Sequence, residues 1–177
     1  MKEEFAIVLD YLPHGYPLSK KRLPIIQAVG IKHFTLLELV PRKEEAVESK
    51  EKVYIGEGKR DKISYILKRL DKEDITESAK QHLEETISEL VKEREDFFVN
   101  FFNKADAINK RTHQIELLPG MGKKFMIEIL SKRDEKPFES FNDIKQRVSN
   151  LPFPEKAIEK RIFQELINKE RYNLFVN

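Results

Sequence analysis

The sequence predicts an α+β fold in which a small β-barrel precedes an all-α region, and three observations carry that prediction. Residues 1–59 hold short β-branched and aromatic runs punctuated by glycine and proline. Residues 60–104 hold apolar residues at helical spacing, and residues 105–177 hold two Leu-Pro turns, each followed by a helical pattern. The expected domains follow these divisions: a barrel, a helical connector with a long bracing helix, and a helical domain.

In the first stretch, residues 5–12, 33–40 and 52–56 are rich in β-branched, leucine and aromatic residues, bounded by Pro13, Gly15, Pro17, Gly30, Pro41 and Gly58. These read as three strands. Residues 24–29, Pro-Ile-Ile-Gln-Ala-Val, suit a fourth strand or a short helix. So few strands in under 60 residues close best into an OB-like or SH3-like barrel. Such barrels bind single strands through aromatics and a basic groove, and Tyr11, Tyr16, Phe34 and Tyr54 with Lys20, Lys21 and Arg22 supply both residue types. Aromatics in small barrels also fill the core, and that alternative stays open.

The connector begins at 61–70, where Ile63, Ile66, Leu67 and Leu70 recur at helical spacing. A longer helix is expected from Thr76 or Ser78 to Lys104, with Ala79, Leu83, Ile87, Leu90, Val91, Phe97, Phe98, Phe101 and Phe102 along one face. The phenylalanine cluster at 97–102 suits a core, a stacking surface or a dimer contact.

Residues 115–124, Ile-Glu-Leu-Leu-Pro-Gly-Met-Gly-Lys-Lys, are the most informative. Pro119 cannot continue the helix expected over 112–118, because it lacks an N–H and clashes with the preceding turn. Gly120 and Gly122 are expected at positive φ, with no Cβ between backbone and ligand, while Met121 between them points into the core. A new helix is expected from Lys123 to about Lys132. Its first N–H groups and the positive end of its dipole would form an anion site, to which Lys123 and Lys124 add full charge. This is the pattern of a helix-hairpin-helix loop gripping a phosphate. Pro-Gly-Met-Gly would also serve as a plain turn between packed helices.

The hairpin has an echo 33 residues later: Leu118-Pro119 with Lys123 and Lys124 matches Leu151-Pro152 with Lys156. Between the copies, Ser140 can cap a helix burying Phe141, Ile144 and Val148. The second copy places Phe153, Pro154 and Glu155 where the first has Gly120, Met121 and Gly122. Bulk and negative charge there disfavour phosphate, so copy one is expected to bind and copy two to support it.

Phe-Thr-Leu-Leu-Glu-Leu at 34–39, Val-Tyr-Ile-Gly at 53–56, Phe-Phe-Asn-Lys-Ala at 101–105, the glycine hairpin, and Pro-Phe-Glu-Ser-Phe at 137–141 together resemble an archaeal domain-of-unknown-function family, number 655. The resemblance covers almost the whole chain. It implies a small β-barrel joined to a helical hairpin domain and a nucleic-acid partner, with RNA preferred over DNA, and it supplies no reaction. Relatives in the wider hairpin superfamily often hold a monovalent cation between loop carbonyls and phosphate, which extends that implication to the loop at Gly120, Met121 and Gly122.

Composition bounds the remaining classes. With no cysteine, disulfides and cysteine-ligated metals are excluded, and His14, His33, His82 and His113 lie too far apart in sequence to form a helical ligand pair. The apolar run at 5–9 follows no basic region and is too short for a signal or membrane span, so a cytoplasmic location is expected. Lys plus Arg against Asp plus Glu runs 11 to 9 over 1–60, 8 to 11 over 61–104 and 14 to 11 over 105–177. The ends are mildly basic and the middle acidic. Asp134 and Asp143, the only downstream aspartates a hairpin glycosylase could use, lie outside any Gly/Pro-rich segment. The sequence therefore reads as a non-catalytic nucleic-acid-binding protein, with a protein-interaction scaffold as the alternative and a DNA-repair enzyme behind both.

Overall fold

The computed structural model describes residues 2–20, 22–43 and 45–176. The chain divides into two compact units: residues up to Thr86 together with those from Glu165 onward, and Ile87–Gln164.

The first unit is built on five antiparallel strands: β1 (Phe5–Leu12), β2 (Ile25–Gly30), β3 (Leu36–Pro41), β4 (Lys52–Tyr54) and β5 (Ile63–Arg69), ordered β4-β1-β2-β3-β5. The expected strand at 5–12 is found with those bounds. Of residues 24–29, open between strand and helix, all but Pro24 lie in β2, whose backbone pairs with β1 on one side and β3 on the other. Pro24 falls just outside that ladder, where its missing N–H costs nothing. Ala6, Val8, Ile26, Ala28, Leu39 and Ile63 anchor the core. Strands β4 and β5 are the two edges, and they do not pair with one another. The sheet is thus a curled half-barrel rather than a closed one.

Strand β5 corrects the helix expected at 61–70, and with it the wholly helical character of residues 60–104. Residues 63, 66, 67 and 70 are apolar at helical spacing, yet only Ile63 and Leu70 are buried. Two register shifts along the β3–β5 ladder displace the strand's alternation, so the periodicity imitates a helix. The unpaired backbone of β3 decided the outcome, since a buried strand needs its N–H and C=O groups satisfied.

A carboxylate closes the β2–β3 turn. Buried Glu3 accepts from the N–H groups of Lys32 (2.9 Å), His33 (2.8 Å) and Thr35 (3.4 Å). Gly30 makes room for it: a Cβ there would lie 2.1 Å from Glu3 Cδ. A second carboxylate, buried Glu165, accepts from Leu174 (2.7 Å), Phe175 (2.9 Å) and Val176 (3.0 Å), fastening the last described residues.

Helix α1 (Glu77–Glu93) is started by Thr76, whose Oγ1 accepts from Ala79 N at 3.0 Å and donates to Asp10 at 2.6 Å. The single long helix expected to reach Lys104 is instead two, because Arg94 (φ −110°, ψ 32°) leaves helical geometry before α2 (Glu95–Lys104). No proline or glycine marks the break. Of the phenylalanine cluster, Phe98 and Phe102 are core, while Phe97 is exposed beneath the Arg94 guanidinium, 4.5 Å from its ring centroid.

The second unit continues through a short hairpin, β6 (Ala107–Asn109) and β7 (Thr112–His113), a 3-10 turn (Gln114–Leu117), α3 (Lys123–Glu135), α4 (Phe141–Arg147) and the start of α5 (Pro154–Ile167). The helix expected over 112–118 is only that 3-10 turn. With the sheet ending at His113 and Pro119 ahead, too few residues remain for an α-helical turn to propagate. Helix α4 starts as expected: Ser140 Oγ accepts from Asp143 N at 2.9 Å, and Phe141, Ile144 and Val148 are buried.

Candidate nucleic-acid interface

The glycine loop is held from behind by named contacts. His113 and Glu116 form a reciprocal cap on the 3-10 turn, with Ile115 N donating to His113 Nδ1 (3.1 Å) and His113 N to Glu116 Oε2 (2.9 Å). Burial, joined by the nearby Arg133 charge, pushes the imidazole pKa down, and a neutral ring is what lets Nδ1 accept. Leu118 is buried, and its carbonyl accepts from Met121 N at 3.0 Å across Pro119 and Gly120. Proline in the second position and Gly120 at φ +80° in the third give a type II turn.

Met121 is buried as expected, so its side chain cannot touch a ligand and only its backbone borders the loop. Gly122 departs from the expectation of positive φ. It is the N-cap of α3 at φ −79°, ψ −173°, extended backbone that any residue adopts. A Cβ added there meets nothing within 4 Å. Neither dihedral nor internal packing therefore requires glycine at 122, and the approach to the helix end is bare.

Beyond that glycine the amides of Lys123, Lys124 and Phe125 enter α3. Gly122 O accepts from Met126 N at 3.0 Å, the first bond of the helix, and no side chain caps the turn. Three donors thus point toward open space where the dipole is positive. Charge follows suit. Helices α1, α2, α4 and α5 each carry an acidic residue in the first turn, whereas α3 has none and begins with exposed Lys123 and Lys124.

The second loop lies beside the first, since a Cβ on Gly120 would stand 3.8 Å from Pro152 Cγ. It does not repeat the first loop's backbone. Its left-handed residue is Asn150 (φ +56°), one residue before Leu151-Pro152, whereas Gly120 follows Leu118-Pro119. Exposed Phe153 sits under Lys145, whose Nζ is 3.4 Å from the ring centroid. Buried Arg161 of α5 donates to the Leu117 carbonyl at 3.3 Å, supporting the first loop from the second hairpin's helix. The sequence reading missed this residue. Its signal was a charge at 161 on the stripe that buries Ile158 and Ile162.

The remaining basic candidates belong to the other unit. Lys20 and Arg22 are exposed between β1 and β2, and Lys21 lies outside the described residues. The aromatics offered for stacking are mostly engaged: Phe34 is fully buried and Tyr11 packs against the sheet core. Tyr16 donates to Glu38 at 2.7 Å and accepts from Gln27 at 3.0 Å, and burial together with the Glu38 hydrogen bond drives its pKa far up. Tyr54 lines an open cleft.

Asp143 is bound into structure. Its carboxylate accepts from Glu139 N (3.0 Å) and Arg147 (3.1 Å), and against a partial burial that would raise it, these donors hold its pKa below the usual carboxylate range. Asp134 is exposed on α3. Among the described residues no group of three or more acidic or histidine side chains is placed to hold a metal ion, and no helix is long and apolar enough to cross a membrane.

Residues 2–177 match the model of a family described as a protein of unknown function, DUF655. Uncharacterized protein MJ0038 of Methanocaldococcus jannaschii is 44% identical over 176 residues, covering 98% of this chain and 80% of the relative. The crystal structure of Af1531 from Archaeoglobus fulgidus, a member of the same family, is similar at a TM-score of 0.88 and 45% identity, covering 99% of this chain and all of that one. By family model, relative and solved structure alike, this chain belongs to the DUF655 family of archaeal proteins.

Proposed function

We propose that this protein binds nucleic acid, RNA in preference to DNA, without catalysing a reaction, and that it grips the phosphate backbone at the α3 N-terminus. One observation carries the reading. The α3 turn combines three uncapped amides, a bare Gly122, and exposed Lys123 and Lys124, with no acidic residue in its first turn. Backbone amides and lysines meet phosphate oxygens but no base edges, so the grip is indifferent to sequence. On this reading the helical unit acts as a duplicated helix-hairpin-helix whose second loop supports the first, and the half-barrel acts as an OB-like platform. A cytoplasmic location suits such a partner.

A monovalent cation fits the loop poorly. The Arg161 guanidinium donates to the Leu117 carbonyl at 3.3 Å, directly behind the loop. A positive charge at the back of the loop opposes a second one, so the proposed grip runs chiefly through amides and lysines.

The test is Gly122→Asp. An acid at the N-cap offers its own carboxylate to the amides a phosphate would use. A gel-shift titration should show RNA affinity falling at least about tenfold, the scale of one charge-assisted contact, with helicity unchanged by circular dichroism. Equal affinity for the variant removes the hairpin from the account.

A further inference from the structure

The half-barrel's open seam forms a cleft of about 820 Å3. Tyr54 of edge strand β4 and Ile66 and Arg69 of the opposite edge, β5, line this one space, with Phe5 of β1. Closing the barrel by β4–β5 pairing would abolish it.

Its walls combine two kinds of group. Phe5 and Tyr54 meet edge-on, with centroids 5.3 Å apart and planes at 63°, the Lys52 ammonium lies 4.6 Å from the Phe5 centroid, and Phe5 and Ile66 remain partly exposed although both are large apolar side chains. Both side chains line the same cleft and give it an apolar wall that a ligand could cover. The second kind is charge. Arg60 spends Nε on the Gly56 carbonyl at 2.8 Å, and neither Arg60 nor Arg69 has a carboxylate partner among the described residues. The carboxylates nearby are largely committed: Glu3 to the three turn amides and Glu57 to Lys2, leaving Glu4.

A partly exposed ring and aliphatic side chain in the same cleft as two guanidiniums without carboxylate partners, with the Lys52 ammonium over the ring, suit a ligand that is flat and apolar at one end and anionic at the other. We infer that this cleft is a nucleotide site, in which a base covers Phe5 and Ile66 while Arg60 and Arg69 hold the attached phosphate. It stands in the other unit from the α3 loop and goes beyond the hairpin reading. It also reassigns the sheet's contribution from the Lys20–Arg22 segment to the seam. A nucleotide can arrive free or as part of a single strand, and the chemistry of the cleft is the same for both.

The experiment uses the full chain carrying Gly122→Asp, so that the hairpin does not contribute. Anisotropy of a fluorescent single-stranded oligoadenylate is titrated against this protein, with AMP as competitor, and repeated with Arg69→Glu and with Phe5→Leu added. Saturable binding that weakens about tenfold with each added substitution, the scale of one charge-assisted contact or one stacked base, is the expected result. Competition by AMP identifies a free nucleotide as sufficient; failure of AMP to compete, with the same sensitivity to Arg69→Glu, identifies the strand. No saturable binding of either probe, or binding indifferent to both substitutions, overturns the proposal. Amide chemical shifts keep the Phe5 result interpretable, because a folded Phe5→Leu protein retains the dispersed spectrum of the parent. Failure of the hairpin reading looks different: it appears as equal affinity of wild type and Gly122→Asp.

Discussion

Among the described residues, the amides of the β2–β3 turn, of the segment after α5 and of the start of α3 are filled differently. The β2–β3 turn is filled by Glu3 and the segment after α5 by Glu165, each a buried carboxylate taking three N–H groups. The start of α3 receives no side chain at all. Where the chain supplies its own anion, the cluster is a fastening and its loss should cost stability. Where it leaves the amides bare and adds two lysines, stability gains nothing, and the proposed phosphate is the anion that would fill the cluster.

The largest effect should follow from emptying the Glu3 cluster. Glu3→Gln replaces a charged acceptor by a neutral amide that also brings donors against three N–H groups. The expected cost is about 3 kcal/mol in urea unfolding, given the strength of hydrogen bonds to charged groups and the penalty for orphaned ones. Gly30→Ala reaches the same cluster by another route, since its methyl would displace the Glu3 side chain. The two losses should therefore be sub-additive in the double variant. Full additivity would separate Glu3 from the turn and break the comparison at its first member.

Glu165→Gln comes next, at about 2 kcal/mol. It should speed hydrogen exchange at Leu174, Phe175 and Val176 before exchange elsewhere, because these are the amides it holds. Unchanged protection there would mean that the segment is fastened by packing instead.

Gly122→Asp should move the other way in stability. At an extended N-cap with no neighbour to clash, the new carboxylate satisfies bare amides and meets the dipole, a gain of about 0.5 kcal/mol by urea unfolding. Binding would fall as stability rises. A variant that lost both would show that glycine is needed there by the fold, and the open cluster would then be no different from the filled ones. Lys123→Gln with Lys124→Gln tests the charge beside it: the log–log salt slope of RNA affinity should flatten by about one to two units. An unchanged slope puts the phosphates elsewhere.

The filled and open clusters also differ in how far the sequence discloses them. The α3 loop is contiguous, so Pro119, Gly120, the burial of Met121 and the lysines could be read in a row. Strand β1 was equally legible, as a run of β-branched, leucine and aromatic residues ending before Pro13. Glu3 could not be read, because its partners lie about 30 residues away and nothing local distinguishes it from Glu4. Strand β5 was misread because an irregular edge strand with two register shifts lost its alternation and mimicked helical spacing. The break at Arg94 has no glycine or proline to announce it. At Gly122 the residue was identified but not its conformation: the glycine is extended, and what matters is the missing Cβ rather than φ. Arg161 and Glu165, charges on an otherwise buried helical stripe, are the signal that a closer reading of periodicity would have used.

The smallest expected effect sharpens the contrast between two neighbouring helix starts. Helix α4 opens with Ser140 as cap and Asp143 in its first turn, whereas α3 opens with neither an acid nor a capping side chain. The Glu139 N–H and Arg147 hold Asp143 below its usual pKa, so folding favours the carboxylate form. A depressed folded-state pKa means that the contribution is complete above the unfolded value, about 3.9, and is lost as pH falls through the folded value. Because the pair is partly exposed, Asp143→Asn should cost less than about 1 kcal/mol near neutral pH. That difference between wild type and variant should shrink as urea titrations are carried into the acid range. A gap that held constant in acid would mean that Asp143 acts through packing rather than charge, and the acid-capped helix would no longer be the electrostatic opposite of α3.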